Sequence, residues 1–301
     1  MRIAIDTEPS AGFRAQLDAA FGRDRVARVD GDPGEAQVLL HVLAPVRAAA
    51  IAAAPGLRLI QKLGTGVNTI DLDAARAHGV AVCNMPGANA AAVAEMALAL
   101  LFAVLLRTTA LDAGLRAGRW VPDPALLDGV GEVGGRTVGL VGFGHSAERL
   151  ATVLAALGAT VVYTARGRHP DAPYEYLPLP DLLARADVVS LHVPLDATTR
   201  DMVDPWAMKP GAVLINVARG GLVDEVRLAA ALAEGHLRGA GLDVFADEPV
   251  AAAHPLLALP TVVASPHVAW LTPETLARSI AVAADNVARL EAGRPPLHRV
   301  V

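Results

Sequence analysis

Three residues in the second half of the chain have side chains suited to chemistry. Arg219 closes the run "AVLINVARG", Glu248 lies in "AGLDVFADEP", and His267 sits in "VVASPHVAW". Each follows a short apolar run of the kind that forms a buried strand, and in an open α/β sheet the carboxyl ends of strands face the ligand crevice. Taken singly, each has a plain structural alternative: a surface arginine, a carboxylate capping a turn before Pro249, a histidine satisfied within its loop. Together they form an anion clamp, a carboxylate and a titratable imidazole. That set is what reduction of a 2-oxo acid carbonyl requires.

A glycine turn supplies a second constellation. In "GFGHSA" the pattern is Gly142-x-Gly144-x-x-Ala147, with alanine where the dinucleotide fingerprint accepts Gly or Ala. The first glycine permits a tight turn, the second lets backbone approach a diphosphate, and the small third residue lets the next helix pack close to its strand. The helix then presents free N–H groups and its positive dipole end to the phosphates. The alternative is a purely structural strand-to-helix turn. The fingerprint also asks for an acid about 20 positions on, to hold the ribose hydroxyls. Here "GATVVYT" is followed by Ala165, with Arg166, Arg168 and His169 just beyond. Guanidinium groups bind a 2′-phosphate that a carboxylate would repel, so the stretch leans towards NADP(H), with NAD(H) open. Ordinary solvated loop arginines are the other reading.

These residues need rigid elements behind them. Short runs rich in Val, Ile and Leu alternate with longer alanine-rich segments, the signature of parallel strands and crossover helices. The class is α/β. One series of strand candidates, "RIAIDT", "RVARVD", "AQVLLHV", "LRLIQKLG" and "VAVCNM", fills the first third. A second begins at "TVGLVGFG" and continues through "ATVVYTA", "ADVVSLHV", "AVLINVA", "GAGLDVF" and "TVVASPHV". Two sheets are implied. A long helical stretch from about Asn89 to Gly118 and a loop-like segment to Gly135 separate them, and the final segment, 272–293, reads as a helix able to pack back on the first domain. The expected division is therefore a discontinuous domain of residues 1–98 and 270–301 around a domain of residues 99–269.

Composition narrows the partners. With 301 residues, 53% hydrophobic, 19% charged and a net charge of −5, the chain reads as a globular protein without basic runs for nucleic acid or anionic membrane. The single cysteine, Cys83, forms no intrachain disulfide and no His/Cys cluster has zinc spacing, so no metal is expected and a reducing cytoplasm fits. The start, "MRIAIDTEPS", reads as a strand and not as a signal peptide. The apolar stretch from Ala90 to Leu106 has roughly the length of a short membrane span. Glu95 and the lack of flanking aromatics make it a helix buried between two domains.

At this point the chain resembles the D-isomer-specific 2-hydroxyacid dehydrogenases, from "LRLIQKLGTGVNTIDLDAARAHGVAVCNMPG" to the C-terminal helix. The resemblance rests on "GLVGFGHSA", "VSLHVPLDATT", "MKPGAVLINVARGGLVDE", "GAGLDVFADEP" and "SPHVA". It implies a flavodoxin-like substrate domain made by both chain ends, a Rossmann-like dinucleotide domain, an active site in the cleft and a homodimer joined through the dinucleotide domains. By the same resemblance Arg219 binds the substrate carboxylate and polarises the carbonyl, His267 is the acid/base, and Glu248 is its partner. Physical chemistry agrees: hydride delivery leaves an oxyanion needing a proton, which an imidazolium supplies. A hydrogen-bonded Glu248 favours that imidazolium, and Arg219 stabilises charge developing on oxygen.

The loop "KLGTGVN" resembles the family's substrate cradle, with the amides of Gly64, Thr65, Gly66 and Val67 around the carboxylate. Thr65 stands where phosphite-oxidising members carry lysine, which disfavours phosphite. Further cofactor contacts are implied at His145, Ser146, Val193, Pro194, Val217 and Ala218, with Asp243 at the nicotinamide carboxamide. Two positions depart from the pattern. Ser146 replaces an aliphatic residue, and "HVAWLTPE" brings Trp270 beside the acid/base as a pocket-shaping residue. The implied substrate is a small 2-oxo or 2-hydroxy acid, glyoxylate or hydroxypyruvate first. The alternative is a dinucleotide-sensing, corepressor-like scaffold without activity.

Overall fold

The computed structural model describes residues 1–30 and 32–301. Two compact units are present, one formed by residues 1–89 and 270–301 and the other by residues 90–269. The sequence-based division at 98/99 cuts through a helix; the units divide at 89/90, where that helix starts.

The first unit begins with β1 (Ile3–Ile5), α1 (Ala11–Phe21), β2 (Val26–Arg28), β3 (Val38–His41) and α2 (Ala48–Ala52). It continues with β4 (Leu59–Lys62), α3 (Leu72–Ala77) and β5 (Ala81–Cys83). Its five strands are all parallel, in the order β2-β1-β3-β4-β5, which is the flavodoxin-like arrangement. Side chains of β1, β3, β4 and β5 are buried throughout, apolar except for His41 at the end of β3 and Gln61 and Lys62 at the end of β4.

Between the sheets the chain forms α4 (Ala90–Leu105), α5 (Thr108–Arg116) and α6 (Pro124–Leu127). The expected single helix is therefore two, bent by 61° at a break where Arg107 takes φ 55. The segment read as loop contains α6, started by Asp123 capping the Ala125 N–H at 2.9 Å. Among the described residues no single helix is long and apolar enough to cross a membrane. Its apolar character has another cause. α4 lies in the second unit, with Ala97, Leu100, Leu101 and Val104 buried in the core cluster that also holds Leu140, Ala147 and Ile215.

The second sheet is built from β6 (Thr137–Val141), α7 (His145–Ala156), β7 (Thr160–Thr164), β8 (Glu175–Tyr176), α8 (Leu179–Arg185) and β9 (Val188–Leu191). β10 (Val213–Asn216), α9 (Glu225–Ala233), β11 (Gly239–Leu242) and β12 (Val262–Ala264) complete it. The order is β12-β11-β10-β9-β6-β7-β8, all parallel. The chain winds outward from β6 in one direction and from β9 in the other, so the switch point lies between them, where doubly wound sheets bind ligands. The last helix, α10 (Pro273–Glu291), belongs to the first unit. Thr272 caps it and Pro273 opens it, and its buried Asn286 donates to Gln61 Oε1 at 2.6 Å and accepts from the Leu297 N–H at 2.6 Å.

Candidate active site

The second unit gathers its reactive side chains on the loops after β10, β11 and β12. The loop after β10 turns through a 3-10 segment, Gly220–Leu222, entered by Arg219. A Cβ on Gly220 would overlap the backbone of Phe245 and Ala246, so only glycine lets the β10 and β11 loops touch. Asn216 shapes the same turn: its amide donates to the Arg219 carbonyl at 2.9 Å and its oxygen accepts from the Ala218 N–H at 3.1 Å. That residue was not picked out from the sequence, although an asparagine ending an apolar strand was the available signal.

The loop after β12 is held by Asp243. This carboxylate is wholly buried and accepts from Ser265 Oγ at 2.6 Å, the Val268 N–H at 2.9 Å and the Ala269 N–H at 2.9 Å. Its carbonyl accepts the His267 N–H at 2.7 Å. This carboxylate, with no exposed surface and three donors of its own, anchors the loop that carries His267. His267 itself sits at φ 54, a left-handed conformation that these surrounding bonds define.

His267 Nδ1 lies 2.6 Å from Glu248 Oε2, and Glu248 Oε1 accepts from the Phe245 N–H at 3.0 Å. Burial pushes the Glu248 carboxyl upward, but the His267 bond, the Phe245 N–H and the charges of His267 and Arg219 outweigh it and hold it below its ordinary value. Glu248 is therefore ionised at neutral pH and acts as acceptor. Nδ1 carries the proton shared with Glu248. Burial also lowers the Arg219 guanidinium, against which Glu248 acts; Arg219 Nη1 donates to the Ala218 carbonyl at 2.6 Å. Arg219, Glu248 and His267 are thus brought together by three successive strand ends.

The glycine turn has the form the fingerprint predicts. Gly142 adopts φ 95, and a Cβ there would lie 2.7 Å from the His192 carbonyl oxygen and 2.8 Å from Val193 Cγ1. Gly144 is the N-cap of α7 without a side-chain cap, and nothing lies within 4 Å of where its Cβ would be. Ala147 is fully buried under the helix. Open space, uncapped N–H groups and a close-packed helix fit a dinucleotide diphosphate. His145 and Pro194 are exposed; Ser146, Val193 and Ala218 are half-buried, and Val217 is buried. No acid follows β7: Ala165 is half-buried, Arg166 and Arg168 are exposed, and Arg168 lies over the Tyr176 ring at 5.8 Å.

In the first unit, Gly64, Gly66 and Val67 are half-buried and Thr65 is exposed, its hydroxyl 3.3 Å from the Met85 carbonyl. Among the described residues the four N–H groups from Gly64 to Val67 donate to no acceptor, as an anion cradle requires. Trp270 packs against the first unit's core.

Comparison with known proteins agrees with this geometry. Residues 98–269 match the family model described as D-isomer specific 2-hydroxyacid dehydrogenase, NAD binding domain. A D-3-phosphoglycerate dehydrogenase of Mycobacterium leprae is 39% identical over 97% of this chain, which spans only 56% of that relative's length. A glyoxylate reductase of Aeropyrum pernix is 36% identical over 81% of this chain and 76% of its own. An NADPH-dependent glyoxylate/hydroxypyruvate reductase from Sinorhizobium meliloti, solved with NADP and malonate, superposes with a TM-score of 0.86 at 29% identity, covering 100% of this chain and 96% of that one. Fold and site define an α/β protein with a dinucleotide-type sheet. The chain belongs to the D-isomer specific 2-hydroxyacid dehydrogenase family.

The ion pair makes a pH-dependent contribution. Because the folded Glu248 carboxyl lies below its ordinary value, its stabilisation is present above the ordinary carboxylate range and is lost as pH falls through the folded value. Glu248→Gln should lower Tm at neutral pH by about 1–2 °C, a small shift because the pair is partly solvated. The difference should close in acid; a gap that widens there in thermal melts would contradict the assignment.

Proposed function

We propose that the chain is an NAD(P)(H)-dependent reductase of small 2-oxo acids, working also in reverse on D-2-hydroxy acids. The observation that carries this reading is the Glu248–His267 pair, 2.6 Å apart, on strand-end loops shared with Arg219. A dinucleotide held at the turn from Gly142 to Ala147 would supply hydride in one direction and accept it in the other. Arg219 binds the substrate carboxylate and stabilises charge on the reacting oxygen. His267, its Nδ1–H fixed by Glu248, exchanges a proton with that oxygen through Nε2. Asp243 acts through the loop it anchors. The amides of Gly64 to Val67 receive the carboxylate, and Trp270 shapes the side-chain pocket. Glyoxylate and hydroxypyruvate are the first substrates to assay, in keeping with the relatives' names. The scaffold alternative loses ground to the intact proton-transfer pair and to relatives named as enzymes.

In a 2-oxo acid assay, His267→Ala should lower kcat by about 10²–10⁴-fold. Arg219→Lys should lower kcat/KM steeply, because a point charge replaces a fork. Near-normal turnover in either variant would remove that residue from the site.

NADP(H) is the favoured cofactor, on the missing acid after β7 and on Arg166 and Arg168. Wild type should show higher kcat/KM with NADPH than with NADH, and Arg166→Ala should shrink the ratio by about ten-fold. A wild-type preference for NADH would reverse the choice.

A homodimer joined through the second units is supported by α5, which has no buried residue, and by Trp120 and Val121, 83% and 79% exposed. Light scattering should give a dimer for wild type and a monomer after Trp120→Asp with Val121→Asp; a monomeric wild type would end the proposal. A reducing cytoplasm suits Cys83, whose thiol burial pushes up to about 11, and cell fractionation checks that placement.

A further inference from the structure

The glycine turn carries a polar line for which the functional reading has no use. Ser146, the second residue of α7, places Oγ 3.3 Å from His192 Nδ1. His192 follows β9, at the switch point, and its N–H donates to the Val141 carbonyl at 2.7 Å. Its other ring nitrogen, Nε2, lies 2.9 Å from the hydroxyl of Ser190, which is 2% exposed within β9. Hydroxyl, imidazole and hydroxyl therefore run in series from the sheet interior to the turn.

Burial pushes the His192 imidazole down to about 4, so at neutral pH it is uncharged and only one ring nitrogen carries a proton. Two arrangements satisfy the line. In one, Nε2–H donates to Ser190, the Ser146 hydroxyl donates inward to Nδ1, and Ser146 shows lone pairs to the turn. In the other, Ser190 donates to Nε2, Nδ1–H donates to Ser146 Oγ, and the Ser146 proton is free to point outward. An anion at the turn is repelled by the first and held by the second.

We infer that Ser190, His192 and Ser146 form a tautomeric relay that turns the Ser146 hydroxyl into a proton donor for the dinucleotide diphosphate, with His192 as the positioning residue. This rests on the dinucleotide reading above. Ser146 occupies a position where related chains were expected to carry an aliphatic residue, so the relay is a property of this chain's own side chains. It adds a donor to those that the backbone of the turn supplies.

Nitrogen-15 NMR of histidine-labelled protein, titrated with NADPH, reads the relay directly. Saturation should leave His192 as the Nδ1–H tautomer. Ser146→Ala should weaken the NADPH Kd by about ten-fold, the worth of one hydrogen bond to a charged group. Ser146→Thr should restore most of the affinity. His192→Phe should cost as much as Ser146→Ala, and the double variant little more than either. Should His192→Phe fail to fold, Ser190→Ala tests the far end of the line with the same expected loss. An Nε2–H tautomer in the complex, additive losses, or wild-type affinity in Ser146→Ala would each overturn the relay. A wild type that binds neither NADPH nor NADH would overturn the dinucleotide reading with it, whereas tight wild-type binding with an indifferent Ser146→Ala removes the relay alone.

Discussion

The site depends on one buried carboxylate. Asp243, at the end of β11, has no exposed surface and would be costly to bury as a charge without partners. Its side-chain donors, Ser265, Val268 and Ala269, come from the loop after β12, and its own N–H donates to the Asn216 carbonyl at the end of β10. Three strand ends are thereby tied to one residue. Gly220, pressed against Phe245 and Ala246, removes the remaining freedom between the β10 and β11 loops. Arg219, Glu248 and His267 are the side chains left at that junction.

The same sheet treats two histidines in opposite ways. His267 faces an ionised carboxylate, which fixes its tautomer. His192 faces two hydroxyls and is kept neutral by burial. One environment suits a group that exchanges a proton with substrate, the other a group that passes hydrogen-bond direction without taking charge. Position along the sheet decides which environment each receives: the switch point for His192, the β12 end for His267.

The parallel strands were legible because buried two-sided strands are continuous apolar runs, and "TVGLV", "VVSL" and "VLIN" stand out between alanine-rich helices. Gly142, Gly144 and Ala147 were legible because the turn chemistry demands small residues at fixed spacing. The role of Asp243 was not, because its partners lie more than twenty positions away and only tertiary structure joins them. Neither was the pairing of Ser146 with His192, for the same reason. The break at Arg107 escaped because "LLRTTA" contains no glycine or proline, so nothing local marks a left-handed residue. β8 escaped because a two-residue strand has no period to read.

A pH profile of kcat/KM in both directions tests most directly whether the Glu248–His267 pair moves the proton. One ionisation governs both reactions on this account, since reduction needs the protonated pair and oxidation the deprotonated one. Reduction of a 2-oxo acid should fall with rising pH while oxidation of the matching D-2-hydroxy acid rises through the same midpoint, and both dependences should disappear in His267→Ala. Profiles that run parallel in the two directions, or that survive in His267→Ala, would contradict it.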